Sequence, residues 1–203
     1  MTLAISRRAL LATAGAAFLA RPLAAQSADP RLEEMVLGSP DAPVEIIEYA
    51  SMTCPHCARF HVEVLPKLKA EYIEPGKVRL VLREVYFDRF GLWATMVARC
   101  GGATRYFGIV DEIFRTQKHW ARAGDDAAVA RELRRIGRLA NLTEEELNAC
   151  LSDQEFANAL VRRYQEQARR DGIDSTPTFL INGQKTPNLP WEDLKSRIDA
   201  ALG

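Results

Sequence analysis

Two cysteines one helical turn apart, Cys54-Pro55-His56-Cys57, stand where a strand-like run gives way to a helix-like one. That junction constrains the segments on either side. Upstream, from Ala42, residues Val44, Ile46, Glu48 and Ala50 fall on one face by the period-2 rule, and Ile47 and Tyr49 on the other. Both faces are largely apolar, which places the strand inside a sheet. Glu48 is the exception. An ionised carboxylate on a buried face is costly, so Glu48 is a candidate to exchange a proton with a nearby thiol; the alternative is a strand-edge glutamate that reaches solvent. Downstream, Phe60, Val64, Leu68 and Tyr72 recur at helical spacing with Pro66 among them, which predicts a helix kinked near Pro66. Pro75-Gly76 ends it, and Val78 to Val85 reads as a second strand. A β-α-β unit with parallel strands and a right-handed crossover follows.

From Phe90 to Gly172 no good strand is found. Helical stripes replace it: Phe107, Val110 and Phe114, then Leu133, Ile136 and Leu139, then Phe156 and Leu160. Thr143 with Glu146 three residues later forms a capping box. Strand character returns at Thr178 to Ile181, Asn182-Gly183 is a two-residue hairpin signal, and Leu189 leads into a helix carrying Trp191, Leu194 and Ile198. The expected divisions are residues 26–37 as a short lead-in, 38–89 as β-α-β, 90–172 as a helical insertion and 173–203 as β-β-α. At 203 residues and 47% apolar content there is ample material for one core with an insertion. With 27 basic and 27 acidic residues the chain shows no electrostatic footprint for nucleic acid.

Residues 1–25 read as a cleaved export signal. Arg7 and Arg8 precede an apolar run from Ala9 to Ala20, and Leu23-Ala24-Ala25 offers small residues to a signal peptidase. The run falls short of the roughly 20 residues that span a bilayer, and Pro22 closes it. Ser6-Arg7-Arg8-Ala9-Leu10-Leu11 has a weak likeness to a twin-arginine signal, which leaves the export route open. Cleavage would remove three arginines and no acid, for a mature net charge of −3. Outside the cytoplasm disulfides persist, so the natural pairs are Cys54 with Cys57 and Cys100 with Cys150. The second is read as structural, closing a loop of about fifty residues worth about 3 to 4 kcal/mol. Buried free thiols and a shared zinc site are the alternatives, but a zinc ribbon needs a second closely spaced cysteine pair, which this chain lacks. No metal site is expected. His61 reads as an ordinary helix-face histidine, His119 as a loop or cap, and Tyr86, Phe87 and Phe90 as core, with the lining of a substrate groove as the alternative.

A Cys-X-X-Cys between strand and helix is the mark of a thioredoxin-type redox site. Glu48-Tyr49-Ala50-Ser51-Met52-Thr53-Cys54-Pro55-His56-Cys57 resembles the active-site segment of DsbA-type thiol:disulfide oxidoreductases of the bacterial periplasm, with the same Pro-His dipeptide. Thr176-Pro177-Thr178-Phe179, followed by Asn182-Gly183, resembles the segment that carries the cis-proline of that family. The likeness covers roughly residues 40 to 203. It implies an α/β thioredoxin fold interrupted by an inserted helical subdomain, with no cofactor beyond a redox-active Cys54–Cys57 disulfide. It also implies unfolded or reduced exported proteins as substrates, reoxidation by a membrane quinone reductase of DsbB type, and a periplasmic location. The lead-in is too short for a dimerisation domain, so a monomer is expected.

The residues themselves support this chemistry. Cys54 at a helix N-terminus meets unpaired N–H groups and the positive end of the macrodipole, both of which favour the thiolate. His56 adds stabilisation, and Pro55 removes an N–H that the first turn would leave unpaired. A stabilised thiolate stabilises the reduced form and makes the disulfide a stronger oxidant. Cys57 is the less accessible partner, served by Glu48. Thr176-Pro177 is expected to lie against the disulfide with a cis bond, leaving the Thr176 backbone to pair with extended substrate. Many family oxidases have valine before this proline, whereas isomerase-like members often have threonine. A disulfide isomerase or dedicated reductase on the same fold is therefore the alternative reading. A metal-binding or metallochaperone module using Cys54, Cys57 and His56 is a third, against which the lack of Met-rich or His-rich sequence counts.

Overall fold

The computed structural model describes residues 29–203; the expected export signal, residues 1–25, lies outside them. After a 3-10 turn at Pro30–Leu32 come β1 (Met35–Leu37), β2 (Val44–Ala50), α1 (residues 55–73), β3 (Val78–Glu84), α2 (Arg89–Cys100) and α3 (Gly102–Arg115). Then follow α4 (Gln117–Trp120), α5 (Asp126–Leu139), α6 (Glu144–Ser152), α7 (Gln154–Arg170), β4 (Thr178–Ile181), β5 (Gln184–Pro187) and α8 (Trp191–Leu202).

Strand β2 occupies the middle of a five-stranded sheet ordered β1-β3-β2-β4-β5. It runs parallel to β3, with Val44 opposite Val78, and antiparallel to β4, with Ile46 opposite Ile181. Its apolar faces explain the position. Val44 and Ile46 pack with Phe60, Leu65 and Leu68 of α1 and with Leu194 and Ile198 of α8, while Ile47 and Tyr49 pack with Val81, Leu180 and Tyr164 of α7. The hairpin between β4 and β5 turns on Asn182 (φ 46°) and Gly183 (φ 82°), both in the left-handed region that a two-residue turn demands. Strand β1 was not legible in the lead-in. It has three residues, of which Met35 alone is buried, too few to write an alternation.

Helix α1 answers Pro66 with a change of winding. Two stretches, Phe60–Val64 and Lys69–Ile73, are π-helical, on either side of an α-helical Leu65–Leu68. In the first, the Leu65 N–H bonds to the Phe60 carbonyl five residues back. One result is a shifted stripe: Leu65, fully buried, takes the place that regular spacing assigned to Val64.

Helices α2 to α7 fill the chain between β3 and β4. Ala94 and Val97 of α2, Tyr106 and Ile113 of α3, and Leu133 and Ile136 of α5 cluster with Ala50, Leu82, Cys54 and Cys57, so this layer walls one side of the cysteine motif. The capping box at Thr143 and Glu146 forms with bonds of 3.1 and 2.7 Å. Two expected core positions fall outside it. Leu139 is 62% exposed because the buried stripe of α5 runs through Val129, Leu133, Ile136 and Gly137, and Phe87 is 60% exposed in the connection after β3. Cys100 at the end of α2 pairs with Cys150 on α6, Cα to Cα 6.3 Å, across a separation of 50 residues. In the chain-entropy picture this closure stabilises the fold by about 4 kcal/mol.

A buried ion pair ties sheet to helices. Arg99 of α2 donates to both carboxylate oxygens of Glu84 at the end of β3, at 2.7 and 2.8 Å, and Tyr106 of α3 donates to the same carboxylate at 2.6 Å. Arg99 also donates to the carbonyls of Arg31 and Glu33, drawing the segment before β1 onto the core. Burial pushes the Glu84 carboxyl up, but Arg99 and Tyr106 outweigh it and hold it below the ordinary range. Removing the cation alone strands a buried carboxylate. Arg99→Met is expected to lower unfolding stability by about 3 to 5 kcal/mol, read from the urea midpoint at constant m-value.

Candidate active site

The site is built where β2 ends and α1 begins. Cys54 caps α1 with extended backbone (φ −78°, ψ 121°), Pro55 fills the first helical position, and the Cys54 carbonyl accepts the first helical bond from Ala58 N–H at 3.1 Å. The turn before it is held from several sides. The Cys54 N–H bonds to the Ser51 carbonyl at 3.0 Å, the Ser51 and Thr53 hydroxyls lie 3.1 Å apart, and Thr53 donates to Asp88, the N-cap of α2, at 2.8 Å. Gln117 of α4, 5% exposed, donates to the carbonyls of Met52 at 2.9 Å and Cys54 at 3.0 Å. Sequence reasoning missed Gln117, since a single amide in a helical stretch carries no spacing signal.

The two sulfurs have opposite electrostatics. Cys54 is 8% exposed and its thiol is pulled down to about 5, chiefly by a hydrogen bond from Cys57, with the backbone N–H groups of Cys57 and His56 assisting. Cys57 is fully buried. Burial first, then the Cys54 sulfur and the negative charge of Glu48, push its thiol strongly up. His56 thus acts on Cys54 through its backbone N–H, while its ring is exposed and lines a groove of about 620 Å³.

That groove is also lined by Thr176, Pro177, Lys185, Pro187 and Asn188. The Thr176–Pro177 bond is cis, and in its thiol form Cys54 donates to the Thr176 carbonyl at 3.5 Å. The structure therefore brings Cys54, Pro55, His56, Cys57, Thr176 and Pro177 together. Glu48 lies on β2, fully buried, near enough for its charge to act on the Cys57 thiol, and both its oxygens are 3.1 Å from Nε2 of His61. His61, read as an ordinary helix-face histidine, is turned inward within the first π segment, its side chain 1% exposed. His119 lies in α4 near Glu132 at 3.3 Å. Cys100 and Cys150 belong to a separate apolar cluster with Met96 and Phe156. Among the described residues no group of three or more His, Cys, Asp or Glu is arranged to hold a metal ion.

Comparison with known proteins agrees with this geometry. Residues 31–200 match the family model described as Thioredoxin. A Rickettsia bellii protein named as a protein-disulfide oxidoreductase is 34% identical over 170 residues, a span covering 83% of this chain and 64% of that protein's length. The crystal structure of Wolbachia pipientis alpha-DsbA1 superposes with a TM-score of 0.77 at 30% identity, covering 85% of this chain and 92% of that one. A Novosphingobium aromaticivorans protein-disulfide isomerase structure gives 0.75 at 25% identity, covering 84% and 97%. With its cysteine pair at the first turn of α1, its cis-proline opposite and these relatives, the chain belongs to the thioredoxin family, in its DsbA-type branch.

Proposed function

We propose that this chain is a protein dithiol:disulfide oxidoreductase that introduces disulfide bonds into exported proteins through Cys54 and Cys57. The observation that carries the reading is the unequal placement of the pair: Cys54 caps α1 3.5 Å from the Thr176 carbonyl while Cys57 is fully buried, which makes the first sulfur acidic and the second proton-retaining. In the oxidised enzyme a substrate thiolate attacks Sγ of Cys54. The Cys54–Cys57 bond breaks, and Cys57 leaves as a thiolate that takes up a proton. A second substrate thiolate then attacks the substrate sulfur of the mixed disulfide, forming the substrate's disulfide and releasing Cys54 as a thiolate. Two electrons pass from substrate to enzyme, and the low affinity of Cys54 for a proton makes it the good leaving group.

The groove beside His56, Thr176 and Pro177 suits an extended polypeptide, because β4 begins only at Thr178 and the Thr176 backbone lies beyond its ladder. Reoxidation is assigned to a membrane quinone reductase of DsbB type. The location is periplasmic, a reading supported by the signal-like residues 1–25 and by the Cys100–Cys150 bridge, which suits an oxidising compartment. The chain is taken to act as a monomer, with the Cys54–Cys57 disulfide as its redox group and no other cofactor. Threonine before Pro177 favours a second reading, disulfide isomerisation, which the reduction potential separates from oxidation.

In the reduced protein, thiolate absorbance or alkylation rate is expected to titrate at about 5, and Cys54→Ser to abolish oxidation of a reduced test protein. A midpoint near 8.5, that of a free thiol, contradicts the assignment. The same shift links to stability. Because the folded-state value lies below the unfolded one, the contribution of Cys54 is fully present above the unfolded value and disappears as pH falls through about 5. At pH 7 it amounts to about 3 kcal/mol in favour of the reduced form, or about 60 mV toward a more oxidising pair. Urea unfolding of reduced protein against Cys54→Ala should show this advantage shrinking between pH 7 and pH 4.5; a constant difference contradicts it.

A further inference from the structure

The chemistry above leaves one buried group without a task. His61 follows Cys57 by four residues on α1, and both side chains face the core. Among the described residues Glu48 takes its side-chain hydrogen bonds from His61 alone, with Nε2 at 3.1 Å from each oxygen. With Glu48 as a carboxylate, Nε2 must be the nitrogen that carries the proton, and Nδ1 is left buried with no partner. Two aromatic rings pack on the imidazole. Phe114 of α3 stacks on it at 4.1 Å between centroids, and Phe60 meets its edge at 5.7 Å. The titratable group bonded to the ring is Glu48 from β2; Cys57 lies one turn back on the same helix, and α3 contributes Phe114.

We propose that His61 is a positioning residue for the proton step at Cys57: its Nε2–H holds the Glu48 carboxylate in place so that Glu48 can exchange a proton with that thiol. The inference rests on the disulfide-exchange reading above and deepens it. In the closing direction the Cys57 S–H bond breaks and its proton passes to a Glu48 oxygen. The Cys57 sulfur forms the bond to Cys54, and the partner sulfur leaves Cys54 with the electron pair as a thiolate. In the opening direction the departing Cys57 thiolate takes the proton back from the Glu48 carboxyl. Atoms and charge balance without any further reactant. The need arises because Cys57 holds its proton tightly, so a nearby base decides how fast the pair closes.

The test uses reduced full-length protein mixed rapidly with oxidised glutathione, quenched in acid and counted by mass. Attack by Cys54 forms the mixed disulfide, and attack by Cys57 consumes it. His61→Leu is expected to leave the first rate within about twofold and to lengthen the lifetime of the mixed disulfide at pH 7 at least about tenfold, a gap that narrows as pH rises and hydroxide takes over. His61→Gln, which keeps an N–H near the Nε2 position, should recover most of the closing rate. If His61→Leu fails to fold, His61→Phe keeps a ring against Phe114 and carries the same expectation. Closing at the wild-type rate in His61→Leu or His61→Phe overturns the proposal, as does equal slowing in His61→Gln and His61→Leu, which would mark packing rather than a hydrogen bond. Absence of any Cys54 mixed disulfide in the wild-type protein would instead defeat the disulfide-exchange reading on which it rests.

Discussion

The first turn of α1 is the constraint on which the site depends. A helix start leaves N–H groups without partners, and here those of His56 and Cys57 act on the sulfur of the N-cap residue itself. Pro55, between Cys54 and His56, contributes a fixed φ and no competing donor. Three residues after the cap, the second sulfur is carried inside, where water cannot support a negative charge. One turn of backbone therefore supplies both members of an unequal pair, and the remaining structure keeps that turn in register.

Two sets of interactions hold it. From below, β2 lies between β3 and β4 and packs Ala50 into one cluster with Cys54 and Cys57. From the side, the helical layer reaches the turn through the amide of Gln117 and through the Ser51, Thr53 and Asp88 chain, and it is itself joined to the sheet by Arg99 on Glu84. A loop whose carbonyls were free to move could not present a sulfur 3.5 Å from Thr176 with any constancy. The inserted helices thus serve the redox pair by immobilising its backbone.

Much of this was legible in the residues. Period-2 alternation located β2 and β3, Asn182-Gly183 located the hairpin, and the motif with Thr176-Pro177 located the two halves of the groove. Misreadings arose where regular spacing was assumed. The π segments shift the phase of α1, so Val64 gave way to Leu65, and His61, read only as a helix-face histidine, lies in the core. Strand β1 was too short to show a pattern, and Gln117 acts by reaching across to another element, which one-dimensional spacing does not encode. Leu139 was placed inside by its spacing in a helical stripe and Phe87 by its hydrophobicity, although apolar side chains are common on protein surfaces.

The winding of α1 also bears on how this helix tolerates change in length. A stretch with five-residue backbone bonds contains, in effect, one residue more than a regular helix of the same rise. Losing that surplus between 60 and 64 would leave a sound helix, better bonded than before, with its downstream apolar stripe rotated by about a quarter turn. Such a shortened chain would fold around a different alignment of ring and carboxylate. Helical regularity and the geometry beneath the cysteines are in opposition here, and the protein keeps the less regular helix.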